Sequence, residues 1–329
     1  MPVLVCFSKR RLVVNEAGLA LLTPFREGVP GTGLMYLLTT LCHLHCWAFL
    51  LRVCVMEPQN ITPKSGVKRS LGARGWVPGQ KGAWGIALIP LLLGCWLAGW
   101  HPLFALLIPA WLSAFAFFQV FEKWMKAPVS RRSSLQPAFI TWTGLTALLG
   151  IPLLIVAPRL LAWAPFFAPL VVVTLWEVSR GHDRAIATRF SSVLASTLMT
   201  PVAASLSLDV YPTNTELGFA WVSFGVLSAY FIACVPYVRS LIRGRKNPRP
   251  WIIAGGVLHL LALVGVCFAV WANLLGWSSI VLWVALLARS LIVPLWQTRR
   301  AKPIPVAVLG RSEIVWSLLV IASLTIPLA

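Results

Sequence analysis

Hydrophobic residues in this chain run in long unbroken blocks instead of alternating or recurring at the spacing of a soluble amphipathic helix. From Trp84 onward nine blocks stand out, at 84–100, 102–121, 137–157, 161–177, 189–208, 217–238, 251–271, 274–296 and 313–328. A helix needs roughly 17–25 mostly apolar residues to cross a bilayer, and each block is close to or within that range. The pattern therefore predicts an all-α polytopic membrane helix bundle with nine transmembrane helices, and it excludes a β-barrel. Tight joins such as Gly99-Trp100-His101-Pro102 and Trp271-Ala272-Asn273 predict helical hairpins. Trp100, Trp163, Trp176, Trp221, Trp271, Trp277 and Trp296 lie near block ends, as an interfacial aromatic belt would place them, whereas Trp111 and Trp142 read as packing residues. Pro90, Pro109, Pro152, Pro165, Pro169 and Pro201 fall inside blocks and predict bent helices. In lipid such bends persist only where neighbouring helices satisfy the freed carbonyls, so the spans must pack against one another.

Composition sharpens this picture. Of 329 residues, 58% are hydrophobic and only 11% charged, yet 28 Lys and Arg against 9 Asp and Glu leave a formal charge of +19. Soluble domains are about a quarter charged. So few charges cannot coat a soluble surface, which excludes a basic nucleic-acid domain, and the hydropathy excludes a disordered polycation. The charge instead marks sidedness. Connections after spans two, four, six and eight hold Lys123, Lys126, Arg131 and Arg132; Arg180, Arg184 and Arg189; Arg239, Arg243, Arg245, Lys246 and Arg249; and Arg299, Arg300, Lys302 and Arg311. Arg289 sits just inside span eight. Connections after the odd spans hold Arg159 alone. Basic loops face the cytoplasm, so the expected topology is N-in and C-out.

The N-terminal region fits this scheme poorly. A further apolar run at about 34–55 contains His43, His45 and Arg52, and a span there would put Lys9, Arg10, Arg11 and Arg26 outside. It reads either as an additional, re-entrant or signal-anchor segment, or as sequence translated from upstream of the gene, with Met56 the true first residue. The second reading is favoured. The expected organisation is then an N-terminal extension over 1–55, a basic cytoplasmic tail over 56–82 and a nine-helix membrane domain over 83–329. Four of seven cysteines (Cys6, Cys42, Cys46 and Cys54) lie in the extension. The Cys42-His43-Leu44-His45-Cys46 cluster is too tight for the usual zinc-ligand spacing and is expected to hold no metal.

Polar residues gather on the basic side. Gln80 and Lys81 open span one, Glu122 and Lys126 follow span two, Glu177, Arg180 and Arg184 follow span four, Arg239 and Arg243 close span six, and Glu313 opens span nine. Tethered by short loops, these ten form the candidate polar pocket for an anionic ligand at the membrane boundary. Basic clusters there attract anionic headgroups, and arginines aimed inward bind phosphate as bidentate forks. Glu122 precedes Lys126 by four residues, the favourable order for a helical ion pair. Arg180 and Arg184 are the expected partners of Glu177. His259, in mid-span, reads as a neutral packing residue and His101 as a solvated turn residue. No P-loop, glycine-rich dinucleotide motif, HExxH or CxxC is present, no catalytic set is recognisable, no cofactor is expected, and scarce Asp argues against magnesium-bridged diphosphate chemistry.

Pro78-Gly79-Gln80-Lys81-Gly82-Ala83-Trp84-Gly85, followed by Ile89-Pro90 and Gly94, resembles the opening of the YwiC-like family of bacterial integral membrane proteins, which typically begins Pro-x-Gln-His-Gly-Ala-Trp-Ala. Trp124-Met125-Lys126, Trp163-Ala164-Pro165, Asp183-Arg184-Ala185, Val235 through Ser240, and Pro294 through Glu313 extend the resemblance over roughly 74–329. Two departures stand out: Lys81 replaces the family His, and Thr188-Arg189 stand where many members show Asn-Asp. The resemblance implies a multi-pass protein of the bacterial cytoplasmic membrane and supplies no biochemical role. Nine spans with the N-terminus inside is also similar to UbiA-type prenyltransferases, but the loops that carry Asp-rich motifs there are basic here. The expected reading is a membrane protein that binds an anionic phospholipid or polyprenyl phosphate at its basic cytoplasmic face. A divergent UbiA-like transferase without metal motifs, or a small-solute or anion transporter, are the alternatives, and no nucleic-acid partner is expected.

Overall fold

The computed structural model describes residues 74–76, 81–181, 186–242, 244, 246–300 and 304–325, together with the short stretches 6–7, 10–14 and 20–22. Among the described residues ten α-helices follow one another: α1 (Lys81–Ala98), α2 (Phe104–Lys126), α3 (Val129–Val156), α4 (Ala164–Ser179), α5 (Ile186–Thr197), α6 (Met199–Leu208), α7 (Gly218–Leu241), α8 (Arg249–Trp271), α9 (Trp277–Thr298) and α10 (Val306–Thr325). A 3-10 turn, Pro158–Trp163, leads into α4, and another, Thr215–Leu217, leads into α7. Counting α5 with α6, and α4 with its 3-10 lead, eight spans among the described residues are long and apolar enough to cross a membrane. A ninth apolar stretch in α1, Trp84–Ala98, is shorter. The all-α polytopic bundle is thus present. In the N-terminal extension, strands β1 (Cys6–Phe7), β2 (Arg10–Val14) and β3 (Ala20–Leu22) pair antiparallel in chain order. The 34–55 run and the Cys42–Cys46 cluster lie outside the described residues.

Several boundaries differ from the hydropathy blocks, and the polar residues explain why. α3 begins eight residues before its block because Arg131, Arg132, Ser133 and Ser134 are helical too. α10 likewise begins at Val306, so Glu313 lies inside the helix and does not open it. Hydropathy stops at charge, whereas helical hydrogen bonding does not.

The fifth span is the hub. It is largely buried, while α3 is almost wholly exposed to where lipid would be. Pro201 has no N–H to give the carbonyl of Thr197, and the helix is interrupted at Leu198, between α5 and α6. Side-chain hydroxyls around the break find partners across the bundle, as lipid demands. The Thr197 hydroxyl lies 2.7 Å from that of Ser228, the Thr200 hydroxyl donates to the Pro90 carbonyl at 2.9 Å, and the Ser207 hydroxyl donates to the Ala98 carbonyl at 3.1 Å. Those last two bonds bind α6 to α1, and Gly94 makes the approach possible. A Cβ there would lie 2.3 Å from the Thr200 carbonyl oxygen.

Consecutive helices pack as hairpins, α2 on α3, α4 on α5, α7 on α8 and α8 on α9. The tight turns expected at Gly99 and Asn273 are there, both in the left-handed region at φ 79° and 57°. Exposed Trp100, Trp176, Trp271, Trp277 and Trp296 fit an aromatic belt. Trp163 does not. It is 2% exposed, donates to the Ser205 hydroxyl at 3.0 Å and stacks near Trp221, so it belongs to the core beside α6. Arg159, the lone basic residue of the odd connections, is ion-paired with Asp209 and donates to the Leu206 carbonyl at the C-terminus of α6.

Candidate functional site

The most polar place inside the bundle lies between α7, α9 and α10. Arg289 is preceded by twelve residues of α9 and followed by nine, about 14 Å of helix from the basic end. Glu313 lies about 10 Å into α10 from that same end. The short 299–305 connection brings the two to one level. Nη1 of Arg289 donates to Oε1 of Glu313 at 2.8 Å and Nη2 to Oε2 at 3.3 Å, so the contact is a bidentate fork. The Arg289 side chain is 7% exposed and that of Glu313 20%. An ionised pair at such depth is expensive in lipid, and ionisable groups there mark functional sites by default.

Helix α7 completes the surroundings through spacing. Tyr230, Cys234 and Tyr237 recur at i, i+4 and i+7 and so share one face. The Tyr230 hydroxyl lies 3.2 Å from Oε2 of Glu313 and from its backbone carbonyl, and the Cys234 thiol donates to Oε2 at 3.3 Å. One turn along α10, the Ser317 hydroxyl donates to the Glu313 carbonyl at 2.7 Å and lies 3.4 Å from the Tyr230 hydroxyl. The rings of Tyr237 and Trp316 take the guanidinium at 4.4 and 5.0 Å. Cation–π contact of this kind stabilises a cation more strongly the less water surrounds it.

Two neighbouring helices contribute buried polar atoms without partners. His259 in α8 is fully buried with Nδ1 2.8 Å from the Gly255 carbonyl. Its Nε2, the Nε of Arg289 and the Oε1 of Gln297 find no hydrogen-bond partner among the described residues. Gln297 spends its amide N–H on the Leu241 carbonyl at 2.8 Å, which ties the ends of α9 and α7.

The residues expected to form one boundary pocket are distributed as follows. Glu122 and Lys126 pair with each other at 4.0 Å near the end of α2. Arg180, just past α4, lies over Trp176 at 4.2 Å, with Glu177 in the last turn. Arg239 lies over Trp251 at 4.0 Å between α7 and α8. Glu313 is drawn inward to Arg289. Lys81 is the first residue of α1, while Gln80, Arg184 and Arg243 lie outside the described residues. Sequence reasoning assigned Arg289 to topology and gave no role to Tyr230, Cys234, Tyr237 or Ser317. The polar i, i+4, i+7 face of α7, set against a lone Arg inside span eight, was the available signal.

At the basic end a second pattern recurs. At or beside the connection after each even span an Arg lies over a Trp: Arg132, in the first turn of α3, over Trp124 at 4.6 Å, Arg180 over Trp176, Arg239, in the last turn of α7, over Trp251, and Arg300 over Trp296 at 4.1 Å. None of these four guanidinium groups is paired with a carboxylate among the described residues.

Comparison with known proteins bears chiefly on the first half of the membrane domain. The YwiC-like protein family model matches residues 77–204. The uncharacterized protein YwiC of Bacillus subtilis (strain 168) is 29% identical over 204 residues, covering 60% of this chain and 80% of that protein. No solved structure matches, and neither match bears on a UbiA-type arrangement. The opening motif at Pro78–Gly85, the apolar spans that follow it and these two matches agree: over residues 77–204 the chain is similar to the YwiC-like family.

Proposed function

We propose that this YwiC-like protein holds the phosphate headgroup of an anionic amphiphile, a phospholipid or a polyprenyl phosphate, at the basic face of a bacterial cytoplasmic membrane. The observation that carries the reading is the repetition of one device, an arginine lying over a tryptophan, at or beside all four connections after the even spans. Tryptophan prefers headgroup depth, and stacking fixes the guanidinium plane beside it. A carboxylate would otherwise occupy the N–H fork, which matches phosphate geometry. By the positive-inside rule this face is cytoplasmic, with the N-terminus inside.

Each basic residue near an anionic surface contributes about 1 kcal/mol, so losing four costs about a thousandfold in affinity. The test uses full-length protein extracted in mild detergent, with mass spectrometry of the lipids that remain bound. Wild type should retain phosphatidylglycerol, cardiolipin or polyprenyl phosphate. The variant Arg132→Gln, Arg180→Gln, Arg239→Gln, Arg300→Gln should retain at least tenfold less. Competition with undecaprenyl phosphate against phosphatidylglycerol in nanodiscs separates the two lipid sources. Equal retention by wild type and variant would overturn the proposal.

A further inference from the structure

The four boundary arginines leave the buried cluster unexplained, and its geometry has a definite chemical character. Donors converge on one carboxylate: both terminal nitrogens of Arg289, the Cys234 thiol and the Tyr230 hydroxyl all point at the two oxygens of Glu313. Such a set of donors around a planar two-oxygen group is an oxyanion cradle, and the protein's own side chain fills it. The arginine lies over two aromatic rings, Tyr237 and Trp316, and its Nε has no partner among the described residues. Glu313 is the more exposed member of the pair, so the cradle is reached from its side.

The geometry points to a binding site for a small monocarboxylate at Arg289, taken up together with one proton, with Glu313 occupying the cradle in the empty state. The proton follows from charge. In the empty state Arg289 and Glu313 cancel. A monoanion that displaced an ionised Glu313 would leave one net negative charge deep in the bundle, which lipid and protein interior both disfavour. If a proton from water first neutralises the Glu313 carboxylate, the displaced side chain is uncharged. Arg289 then balances the incoming anion, and the site stays neutral. A dianion would not be balanced, which sets the specificity. The titratable groups around Glu313 are Arg289 on α9, Tyr230, Cys234 and Tyr237 on α7, and His259 on α8. Helix α1, which also touches α10, carries Cys95 and, at its first residue, Lys81.

The experiment titrates full-length protein in detergent with sodium formate and sodium lactate at pH 5.5 and 7.5, read by calorimetry and thermal shift, with sulfate as the dianion control. Wild type should bind both monocarboxylates at pH 5.5, with affinity falling about tenfold per pH unit as pH rises, because one proton accompanies each anion. Glu313→Gln should bind them equally at both pH values. Arg289→Lys keeps the charge, loses the fork and should bind at least tenfold more weakly. Arg239→Gln, at the boundary, should leave binding unchanged whatever becomes of lipid retention. No binding by wild type at pH 5.5, binding that ignores pH, sulfate binding equal to formate, or loss of binding in Arg239→Gln would each overturn the proposal. Should Glu313→Gln fail to fold, the pH dependence of the wild type decides alone.

Discussion

Removing either member of the Arg289–Glu313 pair should cost far more than an ordinary contact in a membrane bundle, and the two removals should not be equal. Interhelical hydrogen bonds between membrane helices average about 0.6 kcal/mol, whereas breaking a buried ion pair from one side costs about 3–5 kcal/mol because a charge is left uncompensated. The structure says which orphan is worse. Arg289 is 7% exposed and cannot shed its charge, while Glu313 is 20% exposed and can take up a proton. Glu313→Ala should therefore fall near 5 kcal/mol and Arg289→Ala nearer 3 kcal/mol. Replacing both, Arg289→Met with Glu313→Leu, removes the charge together with its desolvation penalty. The double variant should be less destabilised than either single one, as apolar replacements of buried pairs are. The assay is reversible unfolding in mixed micelles, with Arg289→Met and Glu313→Leu also measured singly to close a double-mutant cycle with the double variant. Independent sites add to within about 0.5 kcal/mol. If the single costs simply sum in the double variant, the pair is not a coupled unit and the cradle described above does not exist.

Two further outcomes follow from the packing and from the charge map. Gly94→Ala should destabilise by about 1–3 kcal/mol in the same unfolding assay, the cost of overpacking against a backbone that cannot yield, because the new Cβ meets the Thr200 carbonyl at 2.3 Å. Gly150→Ala, with nothing within 4 Å, is the matched neutral control. For sidedness, a cysteine at Thr213 should react with an impermeant maleimide on intact cells, and one at Asn247 only after permeabilisation, in a background without the seven native cysteines. The reverse pattern would invert the N-in topology.

How much of this was legible in the sequence depends on what each residue answers to. Hydropathy integrates over a whole span, so the eight long apolar spans, the shorter stretch in α1 and the turns at Gly99 and Asn273 could be read directly. Helix ends could not be, because residues such as Arg131 and Arg132 are polar and helical at once. Trp163 shows the same limit: proximity to a block end suggested the interface, but the Ser205 hydroxyl and Trp221 hold it in the core. The Glu122–Lys126 pair was legible because both partners lie on one helix. The Arg289–Glu313 pair was not, since it depends on the length of the connection between two helices and on where α10 begins.

That difference bears on how the two polar regions of this molecule are to be understood. Basic residues at span ends satisfy a rule obeyed by membrane proteins in general, and their number alone says little about what they bind. The stacked tryptophans are what sets Arg132, Arg180, Arg239 and Arg300 apart, since topology requires charge but not a fixed guanidinium plane. Arg289 has no topological reason to exist, for it lies about 14 Å inside the helix end, where it weakens insertion and needs Glu313 as a partner. A chain that required only sidedness would place leucine there. This arginine, with a carboxylate, a thiol, two phenols and a serine hydroxyl arranged around it on two helices, is the feature that composition conceals. The boundary arginines and the buried one are separated by sequence, depth and partner. Lipid retention and carboxylate binding should therefore fail independently: losing the first through the four boundary substitutions should leave the second intact, and the converse should hold for Arg289→Lys.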